Sequence, residues 1–479
     1  MKPTDALQLL AANACFLVAG AGILRLLGFW RSVRDLLFVV AIAYMAGVAV
    51  VGVLATIGLS VGLSVSGPEV LVLCGLLGTA GFLRKPDVAR RPTARPGGAA
   101  LVVSIAAAVA LVGYLAVLLL VSYREPMGAV GYDGWAIWLT KAKAIYLLGG
   151  LDERVFAGQA YSSINRDYPL LVPAVEAIDF HFMRGMATGL LHLQFWLLLA
   201  GFVAAVAQIL RDRVQPVLLW PALLMVAAAP AVLRQLDLAA GDLVLATFFT
   251  LGALAAWRFV DEADPRWLAL AVLFLAAALA TKRDALGFAA AFFLALGIAT
   301  YRRRRGLRLV TAGLGVAVAT IVPWYVWIAR HHVPSKHPAS AFVNPAHLAS
   351  TADRIGPALN ALASQSFRLD RWLLVLPLLL LVAPFVVVRT RAASGTFALL
   401  LLGLLFVWLV WALWADPFSI ASLAVRGADR LVTTPLLVAG VFLPVLLAEL
   451  TREGGPARVR DRTGESRGAA ERGLEAPTR

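Results

Sequence analysis

Two aspartates stand where apolar stretches of this sequence begin. Asp133 directly precedes an aromatic stretch, and Asp242 opens the apolar run that starts at Gly241. A carboxylate beside a substrate hydroxyl can accept its proton, and carboxylates from separate segments can together hold a metal. Each aspartate also has a structural alternative, because Asp is a favoured N-cap residue and the helix dipole stabilises an acid in the first turn. Both are therefore candidates for acid–base or metal chemistry, with helix capping as the alternative.

Basic residues beside other apolar runs could bind a phosphate group. A short polar hairpin contains Lys282 and Arg283, and Arg430 precedes the last apolar run. Lys and Arg are the residues that hold phosphate or pyrophosphate, so we interpret them as a phosphate clamp. For the hairpin, the alternative is a solvated turn with an internal ion pair. His331 follows an aromatic run and is a candidate phosphate or sugar contact; no zinc-ligand spacing surrounds it.

The polar stretch 123–186 predicts two helices, the first lying in a membrane interface and the second either interfacial or half-inserted. The residues at helical spacing in the first helix are Trp135, Trp138, Leu139, Ala142 and Tyr146. Lys141 lies on another face, so this helix is predicted to be amphipathic with aromatic anchors. The second segment, about 169–183, is too short to cross a bilayer and too polar for lipid on all sides. Asp167, just before it, could cap that helix or contact a substrate.

The elements that must position these residues are transmembrane helices. The chain has 479 residues, of which 61% are hydrophobic and 15% charged, with a mean hydropathy of +0.82. This composition excludes a soluble globular protein. About 20 apolar residues cross a bilayer, and runs of this kind recur along the chain. We therefore expect an all-α polytopic membrane protein with about 13 transmembrane helices and interfacial helices in the first large extracytoplasmic loop. The expected spans are 6–28, 36–63, 68–83, 98–122, 187–210, 216–233, 241–257, 266–281, 285–301, 307–329, 372–388, 395–414 and 430–450.

The distribution of Lys and Arg predicts the orientation in the membrane. Basic residues concentrate at 84–95, at 302–308, at Arg389 and Arg391, and in the tail from Arg452. Alternation of the spans places all of them on one side, which the positive-inside rule makes cytoplasmic. The N-terminus is then outside, the C-terminus inside, and the net charge of +15 reports topology and attraction to membrane lipids, not nucleic-acid binding.

Several stretches, in this order, resemble the GT-C class of integral-membrane glycosyltransferases, in the branch related to protein O-mannosyltransferases and bacterial lipid-phosphate-sugar transferases. The stretches that carry the likeness are 133–138 with 141–143, 167–173, 241–246, 281–284 and 322–327. The resemblance covers about 98–450. It separates a GT-C-like catalytic region (98–450) from an N-terminal three-helix membrane module (1–97). The tail 451–479 is rich in Arg, Glu, Gly and Ala without apolar periodicity, which predicts a disordered cytoplasmic segment.

The resemblance implies transfer of a sugar from a polyprenyl-phosphate donor to an acceptor hydroxyl on a lipid, glycan or protein at the extracytoplasmic face, normally with inversion. Asp133 would take the proton of the acceptor, and Asp242 would orient the acceptor or help to bind a divalent cation such as Mg or Mn. The further substrate contacts that it implies are Asp167, Tyr168, Lys282, Arg283, His331, Arg430 and Trp135.

The chain also departs from the GT-C pattern. Three spans precede the similar region, and Asp133 lacks the adjacent acidic partner that is common in the class. The hairpin has Arg283-Asp284-Ala285 where relatives often have Asn-Glu-Gly. These differences leave metal use and the phosphate ligands open.

Two other functions fit a polytopic membrane protein. A transporter or flippase predicts repeat symmetry and acids near mid-span, whereas the acids that the sequence places lie at one rim. A ligase or polymerase of lipid-linked glycans shares the compartment and the donor type, so the sequence does not separate it from a monosaccharide transferase.

Overall fold

The computed structural model describes residues 3–83, 98–122, 132–335, 339–389, 393–416 and 428–453. Within these ranges every regular element is a helix, which confirms the expected all-α class. The basic segment 84–95, Arg391 and nearly all of the predicted tail lie outside the described residues.

The helices are named here in chain order. The first half contains α1 (Pro3–Leu26), α2 (Val33–Leu37), α3 (Val40–Ser60), α4 (Gly67–Ala80), α5 (Gly98–Ser122), α6 (Thr140–Leu148), α7 (Glu153–Phe156), α8 (Leu171–Met183), α9 (Leu191–Leu210), α10 (Pro216–Ala227), α11 (Pro230–Asp237) and α12 (Gly241–Glu262). The second half contains α13 (Pro265–Leu279), α14 (Ala285–Thr300), α15 (Arg304–Arg330), α16 (Ala339–Val343), α17 (Pro345–Ser350), α18 (Ile355–Ser366), α19 (Leu369–Trp372), α20 (Val375–Arg389), α21 (Ala393–Ala415), α22 (Ala428–Leu431) and α23 (Thr433–Glu453).

Eight of the described helices are long and apolar enough to cross a membrane, namely α1, α3, α5, α9, α12, α15, α21 and α23. The pair α10 and α11, bent by 49°, would make a ninth span if counted as one. The multi-pass membrane character is therefore confirmed. The other predicted spans are helical but short, namely α4, α13, α14 and α20. At 1.5 Å per residue such helices fall short of a bilayer core of about 30 Å, so the count of thirteen stays a prediction.

Helix α12 lies at the centre of the bundle. Its most apolar 18-residue window is entirely buried, and it packs against α9, α13, α21 and α23. By contrast, only 22% of the corresponding windows of α5 and α15 is buried, so most of their side chains face outward. Because α12 begins at Gly241, its central position brings Asp242 to the middle of one end of the bundle.

The N-terminal helices are packed into the same bundle. At Gly20 of α1, an added Cβ would lie 1.8 Å from the carbonyl oxygen of Ala43 in α3, so only glycine permits this close backbone approach. Helix α8 packs against both α1 and α3. The predicted boundary near residue 97 is not tested, and it stays a prediction.

The stretch after Asp133 forms one continuous helix, with a π-helical first part (Gly134–Leu139) followed by α6. The prediction that Lys141 lies on a polar face of this helix is wrong, because Lys141 is completely buried. Trp135, in contrast, is 45% exposed. The second predicted helix is α8, whose backbone amide at Leu171 donates to the carbonyl oxygen of Ala280 over 2.8 Å.

Candidate active site

Arg430 joins the two candidate acids. Its Nη1 lies 2.5 Å from Oδ2 of Asp133, and its Nε and Nη2 donate to Oδ2 of Asp242, with the Nε contact at 3.0 Å. Asp133 makes no capping hydrogen bond to its helix, so the capping alternative fails there. Three segments from distant parts of the chain thus place two carboxylates on one guanidinium.

Lys282 completes this cluster from the hairpin between α13 and α14. Its Nζ lies 2.6 Å from Oδ1 of Asp242 and 3.1 Å from Oδ2 of Asp284. The side chains of Lys282 and Asp242 are only 7% and 5% exposed, so this is a buried ion pair. Burial alone would lower the pKa of Lys282, but the carboxylates of Asp242 and Asp284 outweigh it and raise the pKa above its usual value. The ammonium is therefore charged at neutral pH.

The pKa of Arg430 shifts in the same direction. Burial opposes its charge, whereas Asp242 and Asp133 raise the pKa of the guanidinium. Both cations are thus held in their charged forms by the carboxylates around them. This arrangement keeps positive charge inside the protein, where an anionic ligand could meet it.

A second ion pair lies on the neighbouring loop. Oδ2 of Asp167 accepts from Arg283 and from the hydroxyl of Ser335, the latter over 2.7 Å. Trp324 donates its indole N–H to the backbone carbonyl of Asp167 over 3.3 Å. Helix α8 starts only at Leu171, and its N-cap residue is Leu170. Asp167 therefore does not cap α8, and its carboxylate belongs to this second ion pair.

The ring of Tyr168 lies close to two lysines, Lys282 of the cluster and Lys141. Nζ of Lys282 lies 5.6 Å from the ring centroid, and Nζ of Lys141 lies 5.9 Å from it. Trp138 stacks on the same tyrosine with centroids 5.8 Å apart. Trp138 in turn packs on Gly241, where an added Cβ would lie 2.5 Å from Cζ2 of the indole. An aromatic pair thus lines the cluster next to the start of α12.

Lys141 holds the loop that contains Asp167 through its backbone carbonyl groups. Its Nζ donates to the carbonyl oxygens of Asn165 (2.7 Å) and Tyr168 (3.1 Å). Burial lowers the pKa of Lys141 to about 7, although the charge of Asp167 opposes this shift. This lysine has no predicted substrate role, and the signal that could have singled it out is a basic residue inside an aromatic helix.

Two predicted substrate contacts lie apart from the ionic cluster. His331 has its Nδ1 3.1 Å from Oε1 of Glu153, and its ring lies over Trp327 with centroids 4.4 Å apart. It lines a separate cavity of about 460 Å³ between the ends of α3 and α15. Trp135 packs against Tyr132 near the surface. Their roles as substrate contacts stay predictions.

The residues present do not fit a divalent cation at Asp242. Both of its carboxylate oxygens already accept from cations, Oδ1 from Lys282 and Oδ2 from Arg430. Within the described ranges, no three His, Cys, Asp or Glu side chains gather closely enough to hold a metal ion.

Neither a protein-family model, nor a curated protein, nor a solved structure matches this chain. The sequence predicted most of the charged residues of the cluster, but not their pairing. It missed Ser335, Trp324 and Trp138 as neighbours of the site. No local pattern marks Ser335. Trp138 lies five residues after Asp133 and Trp324 lies in the stretch 322–327, but only the packing shows that their indoles contact Tyr168 and the backbone of Asp167.

Proposed function

We propose that this protein is a membrane glycosyltransferase of the GT-C type, which moves a sugar from a polyprenyl-phosphate donor to an acceptor hydroxyl at the extracytoplasmic face, with inversion. One observation carries the proposal: Arg430 holds Asp133 and Asp242 together, and Lys282 joins the same cluster. A candidate base and candidate phosphate ligands are thus adjacent, although they come from four segments.

The reaction needs both kinds of group. The acceptor oxygen attacks the anomeric carbon, its proton passes to the carboxylate of Asp133, and the bond between that carbon and the phosphate oxygen breaks. The electron pair of this bond leaves on the lipid phosphate, whose negative charge Lys282, Arg283 and Arg430 would stabilise. The reaction requires no strong acid at the leaving group.

The charges of the resting cluster suggest how the donor enters. Four carboxylates, those of Asp133, Asp167, Asp242 and Asp284, face three cations. A donor phosphate must therefore replace a carboxylate as a partner of these cations. Replacing Asp133 on Arg430 would bind the phosphate and free the base in one step.

The location proposed for the site follows from the distribution of basic residues. Alternation of the thirteen predicted spans would put Asp133, Asp242 and Lys282 on the side opposite the Arg-rich loops, which supports an extracytoplasmic site with a cytoplasmic C-terminus. A lipid donor could reach this rim from the membrane along α14, where Leu286, four residues after Lys282, is 41% exposed.

The proposal is tested in a strain that lacks the protein, by profiling its lipids and glycans after complementation. We expect the empty strain to accumulate a polyprenyl-phosphate sugar and to lack one sugar in its envelope. Wild-type protein should restore the sugar, and Asp133→Asn should not, although it inserts normally in the membrane.

Asp152→Asn is the matched control. Asp152 lies in the same polar region, is paired with Arg154 in an exposed ion pair, and should restore the sugar fully. Full complementation by Asp133→Asn contradicts the role of the base. An unchanged lipid and glycan profile in the empty strain contradicts the transferase itself, and a transporter or flippase would then be the next function to test.

A further inference from the structure

A ring of three polar residues lies inside the helix bundle, apart from the candidate active site. The hydroxyl of Tyr44 in α3 donates to Oδ1 of Asn13 in α1 over 2.7 Å. Nδ2 of Asn13 donates to Oε1 of Gln194 in α9 over 2.7 Å, and Nε2 of Gln194 donates back to the Tyr44 hydroxyl over 3.4 Å. The donors of this ring are largely used within it. The hydroxyl oxygen of Tyr44 still has a lone pair that could accept from one more donor.

Two carboxyl groups of α8 lie beside this ring without partners. Glu176 and Asp179 are 1% and 0% exposed, and within the described part of the chain none of their four carboxylate oxygens has a hydrogen-bond partner. They stand three residues apart on one helix, where side chains are neighbours. Asp179 interacts electrostatically with both Glu176 and Tyr44. Helix α8, which carries both acids, packs against α1 and α3, the helices of Asn13 and Tyr44.

No neighbouring cation compensates the two acids. Among the described residues, neither carboxyl group has an electrostatic interaction with a Lys, Arg or His. On α6, Lys141 binds the backbone carbonyls of Asn165 and Tyr168, and Tyr146 packs against His181.

The remaining titratable neighbours lie on other helices. Glu69 of α4 interacts with His181, and His192 of α9 has contacts of its own. From α3 the group that faces Asp179 is Tyr44, and from α1 the polar group at the ring is the uncharged Asn13.

An ionised carboxylate buried without a partner is very unfavourable, so such a group takes up a proton instead. Burial raises the pKa of both Glu176 and Asp179 well above the usual range.

We propose that Asp179 and Glu176 form a proton-binding site inside the helix bundle, in which both acids are neutral. The bound protons remove the negative charge between α8 and the ring formed by α1, α3 and α9. Loss of the proton leaves a buried charge between these helices and weakens their packing. The site is independent of the proposed glycosyl transfer.

The position of α8 gives the proton site a consequence for the rest of the molecule. Helix α8 starts three residues after Tyr168, and its first amide is bonded to Ala280 at the end of α13. Weaker packing of α8 therefore reaches the loop that holds Asp167 and the hairpin that holds Lys282.

The test uses the full chain in lipid nanodiscs and the isosteric variants Asp179→Asn and Glu176→Gln. Infrared spectroscopy of the wild-type protein at neutral pH should show carbonyl bands of protonated carboxyl groups that shift in D₂O. Each variant should lose part of these bands. The thermal midpoint of each variant at neutral pH should equal or exceed that of wild type, and the advantage should grow as the pH rises.

Asp152→Asn is again the matched control, because this partly exposed acid is paired with Arg154 and should change neither the bands nor the pH dependence. A wild-type protein with no protonated-carboxyl band at neutral pH overturns the proposal, whether or not the variants fold. The proposal is also overturned if NaCl raises the thermal midpoint of the wild-type protein, choline chloride does not, and neither variant responds to NaCl. A bound monovalent cation would then occupy the site.

Discussion

The ion pair between Lys282 and Asp242 can be tested by a double-mutant cycle of Lys282→Met, Asp242→Asn and the combined variant. The two groups are 2.6 Å apart and almost fully buried. Removing one partner of a buried pair costs about 3–5 kcal/mol, because the remaining charge loses its compensation. Each remaining group here keeps a second partner: Asp242 keeps Arg430, and Lys282 keeps Asp284. We therefore expect each single variant to lose about 3 kcal/mol of unfolding free energy, the lower end of that range.

The double variant should lose much less unfolding free energy than the two single variants lose together. It replaces the pair by neutral side chains of similar size, which is often close to neutral for stability, and Arg430 keeps Asp133 as its partner. We expect a loss of at most about 2 kcal/mol, so the interaction energy would be at least about 4 kcal/mol.

The assay is equilibrium unfolding in mixed micelles, followed by circular dichroism, with the free energy extrapolated to zero denaturing detergent. Arg368→Met with Asp370→Asn serves as the control cycle, because that ion pair is exposed and should show little coupling. Additivity of the Lys282 and Asp242 variants within about 0.5 kcal/mol would refute the reasoning.

Two further predictions concern the surroundings of the site. Gly241→Ala should destabilise the protein by about 1–3 kcal/mol, since the new Cβ would lie 2.5 Å from the ring of Trp138. The control Gly297→Ala, in a helix with open space around this glycine, should stabilise the protein slightly. Thermal unfolding of both variants checks this, and a Gly241→Ala variant as stable as wild type contradicts the tight packing. Burial lowers the pKa of Lys141 to about 7, whereas a lysine in the unfolded chain has a pKa of about 10. Between about pH 7 and 10 the unfolded chain therefore binds one proton more than the folded protein at this residue. Lys141 then makes the unfolding free energy rise with pH by up to about 1.4 kcal/mol per pH unit. Stability measured against pH should lose this rise in Lys141→Met, and an unchanged slope would show that Lys141 stays charged in the folded protein.

Local patterns were sufficient for the helices and for several site residues. All thirteen apolar runs expected from the sequence are helical among the described residues, because hydrophobic length is a property of each run alone. Asp133, Asp242, Lys282 and Arg430 were chosen as acids and cations at the ends of such runs, and the structure brings them into one cluster. Their assignment to catalysis stays a prediction.

Other expectations failed or stayed open because they depend on neighbours that are distant in sequence. Lys141 was expected on a polar face, but the turn containing Asn165 covers it and supplies the carbonyl oxygens that replace water. His331 was grouped with the phosphate ligands, yet it pairs with Glu153 and lines a cavity whose lining residues include none of the ionic cluster. Spacing along the chain carries no information about such contacts.

The sequence by itself determined that this is a helical, multi-pass membrane protein and where its charged residues interrupt the apolar runs, since both follow from the transfer of side chains between water and lipid. Only the tertiary structure decided which charges meet. Arg430 pairs with Asp133 and Asp242 because the starts of α12 and of the helix after Asp133 meet the last helices at one end of the bundle. It also left Glu176 and Asp179 without partners, since the hydrogen bonds of the adjacent polar ring are made among Asn13, Tyr44 and Gln194.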